Sequence, residues 1–197
     1  MRLIFASNNK HKIEELKAFA GKEIEIVSLK DAGIDIDIPE PHDTLEKNAS
    51  EKSWTIYNLT GNDCFSEDTG LEIEALNGEP GVKSARYSGE ARSFKDNIEK
   101  VLNKLANETN RNAQFRAVIS LIVDGNETQF EGICKGKIIN TPQGQKGFGY
   151  DPIFIPDGSN RSFAEMSIEE KNRFNHRTKA AAKLVAFLQN MKTNSTN

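Results

Sequence analysis

Cysteine is scarce in this 197-residue chain, with two residues in all. Cys64 and Cys134 stand far apart and form no CxxC pair, so neither a disulfide framework nor a thiolate zinc site is indicated. Histidine is almost as rare, and His11, His42 and His176 show no metal-ligand spacing. Six prolines and 14 glycines are too few for a fibrous or low-complexity chain. No apolar run is long enough to span a bilayer, and the opening run Leu3-Ile4-Phe5-Ala6 is too short for a secretory signal. A cytoplasmic protein without a membrane partner is therefore expected. An excess of positive charge is also missing. The net charge of -3 argues against a nucleic-acid coat or a polybasic membrane patch, while leaving room for a locally basic pocket.

What is present suits a folded domain: 37% hydrophobic and 28% charged residues, enough to bury a sizeable core. One domain over residues 1–191 is expected, with a frayed polar tail over 192–197. Leu3–Ala6 and Ile24–Val27 read as buried strands. Between them Ile13, Leu16 and Phe19 or Ala20 mark one face of a helix ending near Gly21. A second helix is predicted from about Thr44 to Leu59, capped by Asp43 with Glu46 at the third position, and with Leu45, Ala49, Ile56 and Leu59 inward. Cys64–Ser66 and Leu71–Ala75 read as two short strands. Phe94, Ile98, Val101, Leu102 and Leu105 give the clearest amphipathic helix. Alternation from Ala113 to Val123, the Asp124-Gly125-Asn126 turn and a return through Phe130 and Cys134 predict a long hairpin. A last helix turns Ala181, Leu184, Val185, Leu188 and Met191 inward. The class is α/β, with a central twisted mixed sheet flanked by helices.

Four segments carry chemistry. Gly147-Phe148-Gly149-Tyr150-Asp151-Pro152 sets two aromatic rings and an acid around a glycine, a combination suited to a flat heterocycle with polar edges and equally to a buried turn. Ser7-Asn8-Asn9-Lys10-His11-Lys12 lies between strand and helix, where unpaired N–H groups and the helix dipole favour phosphate; an ordinary helix cap has the same residues. Ser66-Glu67-Asp68-Thr69-Gly70 reads as an acidic turn between strands, able to hold Mg²⁺ and position a water. Ser167–Arg177 combines a capping box (Ser167 with Glu170) with Lys171, His176 and Arg177.

In chain order, the blocks Ala6-Ser7-Asn8-Asn9-Lys10-His11-Lys12, Glu67-Asp68-Thr69-Gly70-Leu71, Ala75-Leu76-Asn77-Gly78-Glu79-Pro80-Gly81-Val82-Lys83-Ser84-Ala85-Arg86-Tyr87, Gly147-Phe148-Gly149-Tyr150-Asp151-Pro152-Ile153-Phe154 and Asn175-His176-Arg177 resemble the inosine/xanthosine triphosphate pyrophosphatase family over nearly the whole chain. The resemblance implies an elongated two-lobed α/β fold with a cleft between the lobes, a homodimer, and Mg²⁺-dependent hydrolysis of ITP, dITP and XTP to the monophosphate and pyrophosphate. It also implies roles. Ser7, Asn9 and Lys12 would hold the triphosphate, with Asn8, Lys10 and His11 in the same binding segment and Lys52 and Lys171 assisting. Asp68 would be the metal-linked acid and proton acceptor, with Thr69 beside the substrate. Phe148, Gly149, Tyr150, Asp151, His176 and Arg177 would build the base pocket. Glu46 and Glu67 are further candidate metal ligands. Lys47 stands where the family commonly has an acid, Ser7-Asn8 replaces Thr-Gly, and Glu67 replaces an aspartate. Competing readings are a pyrophosphatase for other modified or pyrimidine nucleotides, and a nucleotide-binding regulator without turnover.

Overall fold

The structure, a computed structural model, describes residues 1–20 and 24–194. Strands β1 (Arg2–Phe5), β2 (Glu25–Ser28), β3 (Cys64–Ile73), β4 (Pro80–Gly81), β5 (Asn112–Val123), β6 (Asn126–Ile138) and β7 (Phe154–Pro156) form one seven-stranded sheet. The helices are α1 (Lys10–Ala20), α2 (Leu45–Thr60), α3 (Phe94–Lys104), α4 (Ile168–Asn172) and α5 (His176–Asn194). The strand order is β2-β1-β3-β5-β6-β7, with β4 also paired to β3. β1 runs parallel to β2 and β3, whereas β3–β4 and β6–β7 are antiparallel, so the sheet is mixed as expected. Asp124 (φ 50°) and Gly125 (φ 74°) make the predicted tight turn between β5 and β6. The expected end of α1 near Gly21 and residues 195–197 of the expected tail lie outside the described residues.

The chain divides into two compact units. Unit 1 holds Met1–Asp68, Ala117–Gly132 and Arg177–Asn197; unit 2 holds Thr69–Arg116 and Ile133–His176. β3, β5 and β6 contribute residues to both. In unit 1 the strands are buried on two faces, and alternate residues separate cleanly. Leu3, Phe5, Phe65, Ile119 and Leu121 pack with Leu16 of α1 and Ala181, Leu184 and Leu188 of α5. Ile4, Ala6, Cys64 and Ile122 pack with Ile56 of α2. Strands buried this way read as continuous apolar runs. Glu127 ties α2 to the hairpin by accepting from Ser50 Oγ (3.0 Å), Trp54 Nε1 (2.9 Å) and Ser120 Oγ (2.8 Å). In unit 2, Ile98 and Val101 of α3 and Leu105 just after it close over Leu71, Ile73, Phe115, Phe154 and Phe163.

Three local expectations change. Ser66–Gly70 is no turn but the middle of β3, a single strand of 10 residues. Its acids are buried against cations, so the strand need not surface to solvate them. Gly70 serves close packing: a Cβ there would lie 2.7 Å from the Gly81 carbonyl oxygen on β4. The cap of α2 is Thr44, whose hydroxyl accepts from Lys47 N–H, one residue later than expected. Leu59, Phe94 and Met191, placed inward by periodicity, are exposed because each sits at a helix end beyond the packed face. Gly70→Ala is expected to separate β3 from β4 and to cost about 1–3 kcal/mol as overpacking does; urea unfolding at equilibrium measures it.

Candidate active site

In unit 1, β1 hands over to α1 through a short hydrogen-bonded loop. Ser7 Oγ accepts from Asn9 N–H (3.1 Å), and Asn9 Oδ1 caps the helix at Lys12 N–H (3.2 Å). Asn8, Asn9, Lys10 and His11 are exposed and Ser7 is half-buried, which leaves a helix N-terminus facing solvent. Lys12 folds back so that its Nζ lies 3.5 Å from Glu67 Oε1 and 3.4 Å from the Glu67 carbonyl.

Glu67 and Asp68, adjacent in β3, engage separate partners as alternation along a strand requires. Arg177, at the start of α5, grips Glu67 with Nε on Oε2 (2.6 Å) and Nη2 on Oε1 (3.3 Å), and its Nη1 donates to Glu15 of α1. Two carboxylates hold its guanidinium ionised, above its ordinary range despite full burial. Lys52 of α2 donates to Asp68 Oδ1 (3.1 Å), to Glu40 Oε1 (2.6 Å) and to the Glu67 carbonyl (3.0 Å). Burial works against the Lys52 ammonium, but Asp68 and Glu40 more than offset it and raise its pKa. Burial raises the pKa of Asp68, opposed by Lys52 and Lys12. Asp68 Oδ2 is buried and has no hydrogen-bond partner among the described residues.

Three cations (Lys12, Lys52, Arg177) thus face four carboxylates (Glu15, Glu40, Glu67, Asp68). Among the described residues no three His, Cys, Asp or Glu side chains could hold a metal ion by themselves. Glu40 and Asp68, with the orphaned Asp68 oxygen, nevertheless fit a hard divalent ion that takes its remaining ligands from phosphate and water. Glu46, expected near the metal, stands in the first turn of α2, where its carbonyl accepts from Gln129 Nε2 (3.2 Å). Glu40, which reaches Lys52 alongside Asp68, was not singled out from the sequence, nor was Glu15. The available signals were Pro39 and Pro41 fixing the chain on either side of Glu40, and a charge at position 15 on the inward face of α1.

Unit 2 gathers the other candidates. Asp151 Oδ2 accepts from Phe148 N–H (2.9 Å) and from Lys171 Nζ (2.6 Å). Lys171 Nζ lies 4.9 Å from the centre of the Phe148 ring. Gly147 (φ 74°) has no room for a side chain, since a Cβ would meet Asp151 Oδ2 at 2.1 Å. The capping box of Ser167 and Glu170 sets the start of α4, which carries Lys171. Tyr150 is core: its hydroxyl donates to the Ser84 carbonyl (2.8 Å), and burial lifts its pKa. His176 stacks on Phe115 at 4.9 Å and 13°. Phe148 is half-buried, and Thr69, next to Asp68 in the chain, has a buried hydroxyl without a hydrogen-bond partner among the described residues. Lys171 therefore belongs with Phe148 and Asp151, and Arg177 with Glu15 and Glu67.

The surroundings of Lys12 bear on how its charge depends on pH. Burial, together with the nearby Lys52 and Arg177, lowers the pKa of Lys12 in spite of Glu67. Lys12 therefore loses its charge at a lower pH than a free lysine, and an anion held by it would be held less well as pH rises. Calorimetric titration with pyrophosphate should show wild type weakening relative to Lys12→Arg as pH climbs towards about 10, because arginine stays protonated.

The chain is similar to known proteins over nearly its whole length. The sequence model of the Ham1 family matches residues 3–187. A dITP/XTP pyrophosphatase of Flavobacterium psychrophilum is 50% identical over 190 residues, covering 96% of this chain and 100% of that protein. One from Porphyromonas gingivalis is 47% identical over 188 residues, covering 95% and 97%. The structure of the Staphylococcus aureus Ham1 protein superposes with a TM-score of 0.87 at 40% identity, covering 97% of this chain and 100% of that one. A HAM1 protein from Coxiella burnetii gives 0.87 at 34% identity, with 96% and 99% covered. With both the sequence pattern and the fold shared from end to end, this chain belongs to the Ham1 family.

Proposed function

We propose that this protein hydrolyses dITP, ITP and XTP to the nucleoside monophosphate and pyrophosphate with Mg²⁺, clearing deaminated purines from the nucleotide pool. The observation that carries the reading is Asp68: one carboxylate oxygen is held by Lys52, and the other is buried with no hydrogen-bond partner among the described residues. Relatives named dITP/XTP pyrophosphatase, matched from end to end, support it. A cytoplasmic homodimer acting on free nucleotides, without a nucleic-acid or membrane partner, completes the proposal. No helix among the described residues is long and apolar enough to cross a membrane.

Attack at the α-phosphate expels pyrophosphate, so charge grows on the leaving group. Glu40 and Asp68 would hold the metal, which supplies charge neutralisation there when bound. Lys12 and Lys52 add positive charge, and the N-terminus of α1 with Ser7 and Asn9 presents N–H and O–H donors to phosphate oxygens. Water is a weak nucleophile, and Asp68 orients it and takes its proton. Arg177 acts through Glu67, fixing the position of that carboxylate beside Lys12.

The base is read in unit 2. Phe148 offers a ring face, and Lys171, steered by Asp151, offers an ammonium donor to the 6-keto oxygen of hypoxanthine or xanthine. Adenine carries an amino donor at that position, so the ammonium would face it unpaired, a mismatch costly enough to discriminate.

Pyrophosphate, detected directly, is the expected product from XTP; stepwise release of orthophosphate contradicts the proposal. Asp68→Ala should lower kcat by about 10²–10⁴, the usual worth of a general base, with a smaller change in KM. A steady-state comparison of Lys171→Met with wild type should show the ratio of kcat/KM for XTP over ATP falling by about tenfold or more.

A further inference from the structure

We infer that Lys52 is a built-in occupant of the metal position: in the free protein its ammonium fills the place of the divalent cation and has to leave before a cation can bind. The inference rests on the pyrophosphatase reading for the identity of the ion alone. Three oxygens converge on Lys52 Nζ: Glu40 Oε1 at 2.6 Å, the Glu67 carbonyl at 3.0 Å and Asp68 Oδ1 at 3.1 Å. Two of them belong to carboxylates, the ligand type a hard divalent cation prefers. The second oxygen of Asp68, a residue 6% exposed, is buried in the same place without a hydrogen-bond partner among the described residues.

A divalent ion coordinated by these oxygens would sit about 2.0–2.6 Å from each. The ammonium, at hydrogen-bond distance from the same atoms, would then lie within a few ångströms of a second positive centre. At that separation and in a poorly solvated site the repulsion is far larger than in water. The two occupants therefore exclude one another. Lysine suits the task, because a compact charge on a flexible stem can move where a planar guanidinium fork cannot. A phosphate oxygen of the arriving nucleotide gives the displaced ammonium a new partner. Metal and polyanion thereby become mutually reinforcing ligands, and by linkage each raises the affinity for the other by the same factor. Until both arrive, Lys52 keeps the buried Glu40 and Asp68 from standing as an uncompensated pair of like charges.

Mn²⁺ binding to the metal-stripped full chain, followed by electron paramagnetic resonance without nucleotide, tests this. Wild type should bind Mn²⁺ weakly. Lys52→Met and Lys52→Gln should bind it about tenfold or more tightly, the factor equivalent to one hydrogen bond to a charged group. Lys52→Arg keeps the charge and should show no gain. Folded Met and Gln variants that bind Mn²⁺ no better than wild type overturn the inference. Wild type supplies an independent check should those variants not fold. Pyrophosphate should increase its Mn²⁺ affinity beyond what the Mn²⁺–pyrophosphate complex in solution explains, and independent binding of the two overturns the inference. Since no nucleotide is turned over, failure here leaves the pyrophosphatase reading to its own product assay.

Discussion

Charge buried in the middle of a strand is the constraint around which unit 1 is organised. Glu67 and Asp68 sit at the centre of β3 with 1% and 6% of their surfaces exposed, and neither could remain there ionised without a partner. Arg177 from α5, Lys12 from α1 and Lys52 from α2 supply those partners. Each of the three helices of unit 1 thus delivers a cation to the same strand, while its apolar residues pack beside it. Removing one member of such a buried pair costs about 3–5 kcal/mol, since the other is left uncompensated. The cluster therefore helps fix how the helices seat on the sheet as well as presenting a site.

Such an arrangement is poised rather than satisfied. Burial disfavours the charged form of both groups, lowering the pKa of Lys12 and raising that of Asp68. A polyanion would relieve the first and a cation the second. Stored frustration of this kind is common where a ligand completes the electrostatics. Unit 2 looks different: Asp151, Lys171 and Phe148 N–H are mutually satisfied, which suits a preorganised surface for a flat, neutral ring.

Much of the fold was legible in the residues, and the exceptions share a cause. The doubly buried strands, the α3 stripe and the Asp124-Gly125 turn follow from periodicity and local backbone preference. Reading Ser66–Gly70 as a turn failed because two acids and a glycine look like solvated punctuation. Partners from Lys12, Lys52 and Arg177, distant in sequence, are what let them stay inside a strand. Glu40 was overlooked for the converse reason: in a loop with two prolines an acid looks solvated, and only folding brings it within 2.6 Å of Lys52.

By itself the sequence determined the element types, the mixed α/β class, the family, and the inventory of acids, lysines and aromatic rings from which a site is made. Those properties depend on side-chain periodicity and on motifs only a few residues long. The tertiary structure alone decided the pairings: Lys52 with Glu40 and Asp68, Arg177 with Glu15 and Glu67, Lys171 with Asp151. Ion pairing depends on distance in space and on exclusion of water, and for residues as far apart in the chain as Glu67 and Arg177 neither is set until the helices have packed on the sheet.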